Sequence, residues 1–333
     1  MADRLRISVV MTTYQGAAHL AEQLDSILAQ QRTPDEVVVS DDASTDGTGA
    51  LLEDYARRHP SIIRLRSNPS RLGLRLNMQA AIEQAQGDVL VLADQDDLWH
   101  PEKLVAVEQA FADPAVTLWF SDAELIDAQG RAIGHTAWEA VSLDAAHQQR
   151  LRDGSLERLL GAQTVTGATM AVRADVARVA LPFPPELEGP GHLFLHDGWL
   201  AALAGAIGRV VVDPRRLTSY RQHDRQVTRM SLSRSGDHGE GKSTRRHRAE
   251  QLQLDRARVT LVADRVRTAG VDGVGATELF RREALLAVRA LPRGAASRQR
   301  LIREQIARGN YHQYSSGFRA AISDLIAPLP KIF

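Results

Sequence analysis

The sequence predicts an α/β chain: a mostly parallel central sheet flanked by helices, followed by a helical C-terminal extension. Three observations carry this. Short apolar runs alternate with helical patterns at roughly 25–30 residues per unit, the rhythm of right-handed strand–helix–strand crossovers. Polar turns rich in Asp, Ser, Thr and Gly follow those runs. From about residue 244 onward the pattern is helical alone, with breaks at residues 270–275, 292–294 and 309.

Residues 7–11 (ISVVM) read as the first strand, TTYQG at 12–16 as its turn, and residues 18–30 as a helix. Pro34 opens a second strand at 36–40 (EVVVS). The turn DDASTDGT at 41–48 feeds a helix through about His59. Residues 62–65 form a third strand, 68–73 a loop, and a helix then runs to about Gln84, where Gly87 and Asp88 stop it. VLVLA at 89–93 is a buried strand, and Pro101 suits the first position of a helix to Phe111. Residues 116–120, 168–172 and 209–212 are strand candidates of a mixed second half, with a small-residue helix at 198–207. Domain limits follow: 1–230, a flexible Ser/Arg/Gly/Asp-rich loop at 231–244, and a basic helical region at 245–333. There is no internal repeat.

The 333 residues suffice for one large or two medium domains, and 44% hydrophobic with 25% charged residues is ordinary for a globular protein. The absence of cysteine excludes disulfides and Cys-based zinc sites and agrees with a reducing compartment. The start of the chain leads straight into a strand and lacks the apolar stretch of a signal peptide. No apolar run reaches the ~18 residues of a spanning helix, so a cytoplasmic location is expected. The net charge of +0 hides an asymmetry: residues 245–333 hold 17 Lys and Arg against 8 Asp and Glu, a net of +9, which leaves −9 on residues 1–244. The acidic front is unsuited to nucleic acid. The basic tail is expected either to make peripheral contact with an anionic membrane face or to present solvated Arg-rich helix faces. The weakly amphipathic residues 318–326 suit packing on the body or in a homodimer better than membrane association.

Asp94-Gln95-Asp96-Asp97 is the most informative stretch. It ends the buried strand with three carboxylates, which repel one another and are costly to desolvate. A hard cation such as Mg2+ or Mn2+ relieves both problems. The plain alternative is a solvated acidic turn in which Asp97 caps the next helix. Thr12–Tyr14, Asp41–Asp46 and Asp94–Asp97 each follow a strand, and in a parallel sheet they share one edge, where such sheets bind ligands. That edge suits a nucleoside diphosphate: a carboxylate accepts a pyrimidine N3–H, and a cation neutralises the diphosphate. Asp197, at the start of a later helix, is either a general base or a structural cap.

TTYQG, SDDASTDGT, the segment from Asn68 to Asn77, GDVLVLADQDDLW, VTGATM, HDGW and SYRQH stand in one order over roughly residues 7–227. Together they resemble a family 2 glycosyltransferase with the GT-A fold, and the forms DQDDLW, HDGW and YRQH are closest to bacterial rhamnosyltransferase-like members. The resemblance implies Asp41 or Asp42 on the base, with Thr12, Thr13 and Tyr14 lining the pocket and Arg71, Asn77 and Asp94 also at the nucleotide. It implies Asp96, Asp97 and His223 at a Mg2+ or Mn2+ ion, Asp197 as catalytic base with His196 positioning it, and Gly167, Thr169 and Trp199 around sugar and acceptor. The implied donor is a dTDP- or UDP-sugar, dTDP-rhamnose among them, and the acceptor a glycan or lipid-linked glycan of bacterial surface polysaccharide. A UDP-hexose or UDP-amino-sugar transferase and a non-catalytic sugar-nucleotide-binding scaffold are the alternatives. Ala43 replaces the usual Gly of the second turn, Leu76 replaces a usual basic residue, and the QxxRW of processive synthases is absent, so single-sugar addition is implied.

Two other patterns fail on context. Residues 236–243 (GDHGEGKS) fit a P-loop, but no buried strand precedes them. The pattern is a chance match in a Gly/Ser/Lys loop; a lid over the donor is the functional alternative for that loop. His192 and His196 have i,i+4 spacing without the glutamate of a zinc protease helix.

Overall fold

The computed structural model describes residues 4–161, 164–188, 191–224, 226, 245–271, 273, 275–290 and 298–310. The candidate lid at 231–244, its P-loop pattern and the 318–326 segment lie outside the described residues. The first half alternates β1 (Ile7–Thr13), α1 (Leu20–Leu28), β2 (Glu36–Asp41), α2 (Thr48–Arg58), β3 (Ile63–Ser67), α3 (Leu74–Gln84) and β4 (Val89–Ala93). Then follow β5 (Leu98–Trp99), α4 (Lys103–Phe111), β6 (Val116–Ile126), β7 (Ala132–Thr136) and the short helices α5 (Ala137–Ala140), α6 (Ala145–Arg152) and α7 (Glu157–Gly161). β8 (Met170–Arg173), α8 (Ala174–Val179), α9 (His196–Ile207) and β9 (Arg209–Arg221) complete the sheet and its cover. The C-terminal helices are α10 (Arg245–Ala269), α11 (Ala276–Ala290) and α12 (Arg298–Ala307).

Among the described residues one nine-stranded sheet runs in the order β3-β2-β1-β4-β8-β6-β9-β5, with β7 on β6. β1 to β4 are mutually parallel. β8 is antiparallel to both neighbours, β6 and β9 are parallel, and β5 is antiparallel to β9. Two reversals through β8 return β6 and β9 to the direction of β4. The carboxyl ends of β1, β2, β4 and β9 therefore share an edge with the amino end of β8. β1, β2 and β4 are buried on both faces, as expected for apolar runs covered by helices on each side, and β3 is the more exposed edge strand.

Helices α1 and α4 start two residues later than the sequence suggests. Pro101 lies in a turn before α4, because its carbonyl accepts Gln31 N–H at 3.0 Å and so leaves the helix ladder. Residues 168–169 are not strand. Gly167–Thr169 forms a 3-10 turn in which Thr169 N–H and Oγ1 both bond Thr166 O at 3.0 Å. β6 and β9 extend well past the expected apolar cores, to Ile126 and Arg221.

The C-terminal helices share the main core. Val259, Val262, Ala263 and Val266 of α10 and Leu279 and Leu286 of α11 join Trp199, Leu200 and Leu203 of α9. Gly273 and Gly275 let the α10–α11 connection lie against the end of α9. A Cβ at Gly273 would stand 2.5 Å from Ala206 O, and one at Gly275 2.6 Å from Gly205 O. Arg265 donates to Val179 O at 3.0 Å and to Leu181 O at 2.8 Å.

At the opposite edge from the strand carboxyl ends, Glu36 fastens three elements. It accepts the Ser8 hydroxyl at 2.6 Å, Gln86 N–H at 2.5 Å and Arg64 at 2.9 Å. Burial pushes its carboxyl up, but the Ser8, Gln86 and Arg64 donors outweigh it and hold Glu36 below the usual range. A depressed folded pKa gives stability that is present above the unfolded value of about 4.3 and is lost as pH falls through the folded value. Glu36→Gln is expected to cost about 1–3 kcal/mol at pH 7, and less as pH drops through the carboxylate range. Urea unfolding at pH 7 and at low pH checks this; an equal cost at both would contradict it.

Candidate active site

The turn after β1 and the turn after β2 lock together. Thr13 Oγ1 donates to Asp41 Oδ1 at 2.7 Å, and Asp41 also accepts Ser44 N–H at 2.9 Å and Ser44 Oγ at 2.6 Å. Gln15 accepts Thr45 N–H at 2.8 Å. Asp42 Oδ1 accepts Leu72 N–H at 2.6 Å and Asn68 Nδ2 at 3.2 Å, and its Oδ2 accepts Gly73 N–H at 2.9 Å. Both aspartates are buried, and three accepted bonds leave each carboxylate about one lone-pair site for a ligand. Beside them Tyr14 is exposed, and the Arg71 guanidinium lies 4.0 Å from its ring centroid. Asn77 sits apart from this opening. It is buried and pins α3 to β2, accepting Ser40 Oγ at 2.7 Å and donating to Ser40 O at 2.9 Å. Its amide is consumed in packing, which corrects the expectation of a nucleotide contact.

Gln95, between the carboxylates, was not singled out by the sequence. Its Oε1 accepts Tyr14 N–H at 2.9 Å and its Nε2 donates to Tyr14 O at 3.1 Å. The side chain thus continues the β1–β4 pairing by one rung, and holds the acidic turn beside Tyr14.

Asp96 Oδ2 and His223 Nε2 are 2.7 Å apart. His223 reaches this point because β9 runs parallel to β6 and ends on the same edge. The fully buried Arg221 fixes the approach. Its N–H donates to Asp97 Oδ1 at 2.9 Å, its Nε to Asp96 O at 2.7 Å, and its guanidinium to Glu22 at 2.7 Å and Ala128 O at 3.1 Å. His19 adds a second imidazole, 5.3 Å from His223 between ring centroids. Burial, Arg221 and His223 lower its pKa, against Asp96 and Glu22. Asp97 is fully buried, and its Oδ2 has no hydrogen-bond partner among the described residues.

Charge crowding is severe. Burial, then Asp96 and Asp197, push the half-buried Asp94 up to about 7, with Lys103 opposing. Burial, then Asp96 and Asp94, push Asp97 well above the usual range, against Arg221 N–H and Lys103. Burial pulls Lys103 down to about 7, and Asp97 and Asp94 pull it back up. Tyr220 stands among the same carboxylates, and burial followed by their charge raises its phenol.

Asp197 meets this cluster through Gly167. Its Oδ2 accepts Gly167 N–H at 3.0 Å and its Oδ1 accepts Gly198 N–H at 2.7 Å. A Cβ on Gly167 would lie 3.4 Å from His196 Nε2, 3.8 Å from Asp197 Cβ and 3.9 Å from Asp94 Oδ1. Asp197 is not the N-cap of α9, a place taken by Leu195; one of its oxygens serves the first turn through Gly198 N–H and the other reaches out of the helix to Gly167 N–H. His196 does not position it by hydrogen bonding: both ring nitrogens are buried without a partner among the described residues, and burial lowers its pKa against the pull of Asp197. Trp199 is not at the acceptor. It is fully buried, and its indole N–H donates to Ala180 O at 3.1 Å, because the fourth position of α9 points into the core. Thr169 is buried and its hydroxyl is spent on Thr166 O.

Among the described residues no three His, Asp or Glu side chains converge as a ready metal cage. Asp96 and His223 offer one carboxylate oxygen and one imidazole nitrogen in contact, and Asp97 an unpartnered oxygen nearby in sequence. Mg2+-type ions commonly take one or two carboxylates and complete their shell with substrate phosphates and water. The donor set fits such a shared ion.

A mixed, mostly parallel sheet flanked by helices, with an acidic turn at the end of its fourth strand, is a GT-A fold. Mannosyltransferase PcManGT from Pyrobaculum calidifontis, in complex with GDP-Man and Mn2+, superposes with a TM-score of 0.51 at 22% identity, over 98% of this chain and 86% of that one. Residues 8–154 match the model of Glycosyl transferase family 2. An uncharacterized protein of Mycobacterium tuberculosis is 24% identical over 220 residues, 65% of this chain and 59% of its own length. The dTDP-rhamnosyl transferase RfbG of Shigella flexneri is 33% identical over 100 residues, 28% of this chain and 34% of its own. This chain thus spans less than two thirds of either relative.

Ala43, the departure from the usual glycine, has φ of +60°. Left-handed backbone costs a residue bearing Cβ roughly 1–2 kcal/mol, partly offset by the greater unfolded freedom of glycine. Ala43→Gly is therefore expected to stabilise the chain by about 0.5–1 kcal/mol. Chemical denaturation checks this, and a destabilised variant would contradict it.

Proposed function

We propose that this chain is a metal-dependent inverting glycosyltransferase that moves one sugar from a nucleoside-diphosphate donor to a glycan or lipid-linked acceptor in bacterial surface polysaccharide synthesis. The carrying observation is that the Asp96–His223 pair and the Asp197 carboxylate open on one sheet edge, joined through Asp94 and Gly167. The first pair suits the diphosphate end of a donor and the second the attacking hydroxyl. The family match, and the GDP-Man and Mn2+ carried by PcManGT, support a nucleotide-sugar donor and a divalent ion.

In this reading Asp41 or Asp42 accepts the N3–H of the base, and Tyr14 and Arg71 border it. Asp96 and His223 hold Mg2+ or Mn2+, with Asp97 behind. The bound ion supplies Lewis-acid stabilisation of the departing diphosphate. Asp197 accepts the acceptor hydroxyl proton as that oxygen bonds the anomeric carbon. The bond from carbon to diphosphate breaks on the opposite face, so configuration inverts. Likeness to RfbG favours dTDP-β-L-rhamnose, which would yield an α-L-rhamnoside. Thymine and uracil present the same N3–H, so this contact alone does not select dTDP over UDP.

Two variants separate the roles. Asp197→Asn is expected to lower kcat by about 10²–10⁴ while donor affinity changes less than about twofold. Asp96→Asn is expected to abolish Mn2+-dependent nucleotide binding. Nucleotide release from UDP- and dTDP-sugars and calorimetric titration check both. Full turnover in Asp197→Asn, or unchanged Mn2+-dependent binding in Asp96→Asn, would contradict the assignments.

A further inference from the structure

Lys103 is a second fully buried cation, and the transfer chemistry above does not use it. It opens α4 and extends inward behind the acidic turn. Its Nζ donates to Ala168 O at 2.6 Å and to Thr218 Oγ1 at 2.9 Å, and lies 3.9 Å from the centroid of the Trp99 ring. The Thr218 hydroxyl in turn donates to Ala168 O at 3.2 Å. These partners belong to three different segments. Trp99 follows the acidic turn, Ala168 lies in the turn that sets Gly167 against Asp94 and Asp197, and Thr218 lies on β9 on the way to Tyr220, Arg221 and His223. No carboxylate among the described residues bonds Nζ; Asp97 and Asp94 act on it through space.

Burying an ammonium costs several kcal/mol even after relaxation. The rest of the buried face of α4, Leu104, Ala106, Val107 and Phe111, is apolar, and an apolar side chain at position 103 would continue it without that cost. The cation is explained by what lies above it, a group of carboxylates whose mutual repulsion it reduces.

We propose that Lys103 is a positioning residue of the donor site: its ammonium balances the charge of Asp94 and Asp97 from behind and ties the 167–169 turn in place against the acidic turn. The consequence for turnover rests on the glycosyl-transfer reading; the charge balance does not. Removing the cation takes positive charge away from behind the carboxylates, which favours a divalent cation in its place. Removing the hydrogen bonds frees Ala168 and with it Gly167 and Asp197. Cation binding and turnover should therefore move in opposite directions, whereas a lysine serving only the fold would weaken both.

The test is Lys103→Met, which keeps chain length. Mn2+ binding is measured by electron paramagnetic resonance with UDP present, beside donor turnover. The expected result is severalfold tighter Mn2+ and a kcat at least about tenfold lower, with a smaller change in donor KM. A folded Lys103→Met that binds Mn2+ equally or more weakly overturns the proposal. Stability is measured for Lys103→Met, Asp97→Asn and the double variant, which covers a single variant that does not fold. Recovery in the double variant of stability lost in Lys103→Met supports charge balance, and a double variant no more stable than Lys103→Met overturns it. Wild-type protein binding neither Mn2+ nor nucleotide would overturn the donor-site reading instead, and the stability cycle would still decide the role of Lys103.

Discussion

Asp94, Asp96, Asp97 and Asp197 are drawn together at the carboxyl edge of the sheet, and the surrounding structure is arranged to resist their repulsion. Two like charges about 5 Å apart at an effective dielectric near 20 repel by about 3 kcal/mol. Arg221 answers with a backbone N–H to Asp97 and a guanidinium fixed under the Asp96 carbonyl. Gly167 and Gly198 give Asp197 two N–H donors at the start of α9, where the helix dipole favours negative charge. Lys103 stands behind the group. Asp97 nevertheless keeps a buried, unpartnered oxygen. In the proposed reading a divalent cation would fill that residual deficit of positive charge.

Sheet topology makes this gathering possible. A wholly parallel sheet would place only the ends of successive strands on the edge. The reversed β8 brings its beginning there instead, so the 167–169 turn faces the end of β4. The return of β6 and β9 to the parallel direction then delivers Tyr220, Arg221 and His223 to the same place. Residues separated by more than a hundred positions meet because one strand runs backwards. The C-terminal helices support α9 from behind, so the segment that carries Asp197 is buttressed by the basic part of the chain.

The parallel half of the fold was legible because each strand is an apolar run bounded by Gly, Pro or Asp, and a buried parallel strand has little else it can be. The acidic turn and its partners at Asp197 and His223 were legible as motifs. What sequence did not reveal depends on direction in space. The HDGW resemblance implied Trp199 at the acceptor because it follows Asp197 by two residues, yet successive helical positions point about 100° apart. Asn77 looked like a binding group, but an amide on the inner face of α3 finds backbone first. Lys103 and Arg221 were hidden because charged residues are rarely buried. The one available hint was Lys103 at the head of the otherwise apolar face formed by Leu104, Val107 and Phe111. Gln95 passed unnoticed because its role is to imitate a strand backbone, which no spacing rule reports.

The central claim is that the acidic edge is a donor site completed by a divalent ion. Thermal stabilisation of the wild-type chain by UDP-, dTDP-, GDP- and CMP-sugars, with and without Mn2+, tests it most directly, since a ligand that binds only the folded state raises Tm by mass action. The account predicts a rise with a dTDP- or UDP-sugar that requires Mn2+ or Mg2+. No shift with any of these sugars in the presence of the ion, or a shift of equal size without it, would contradict the claim.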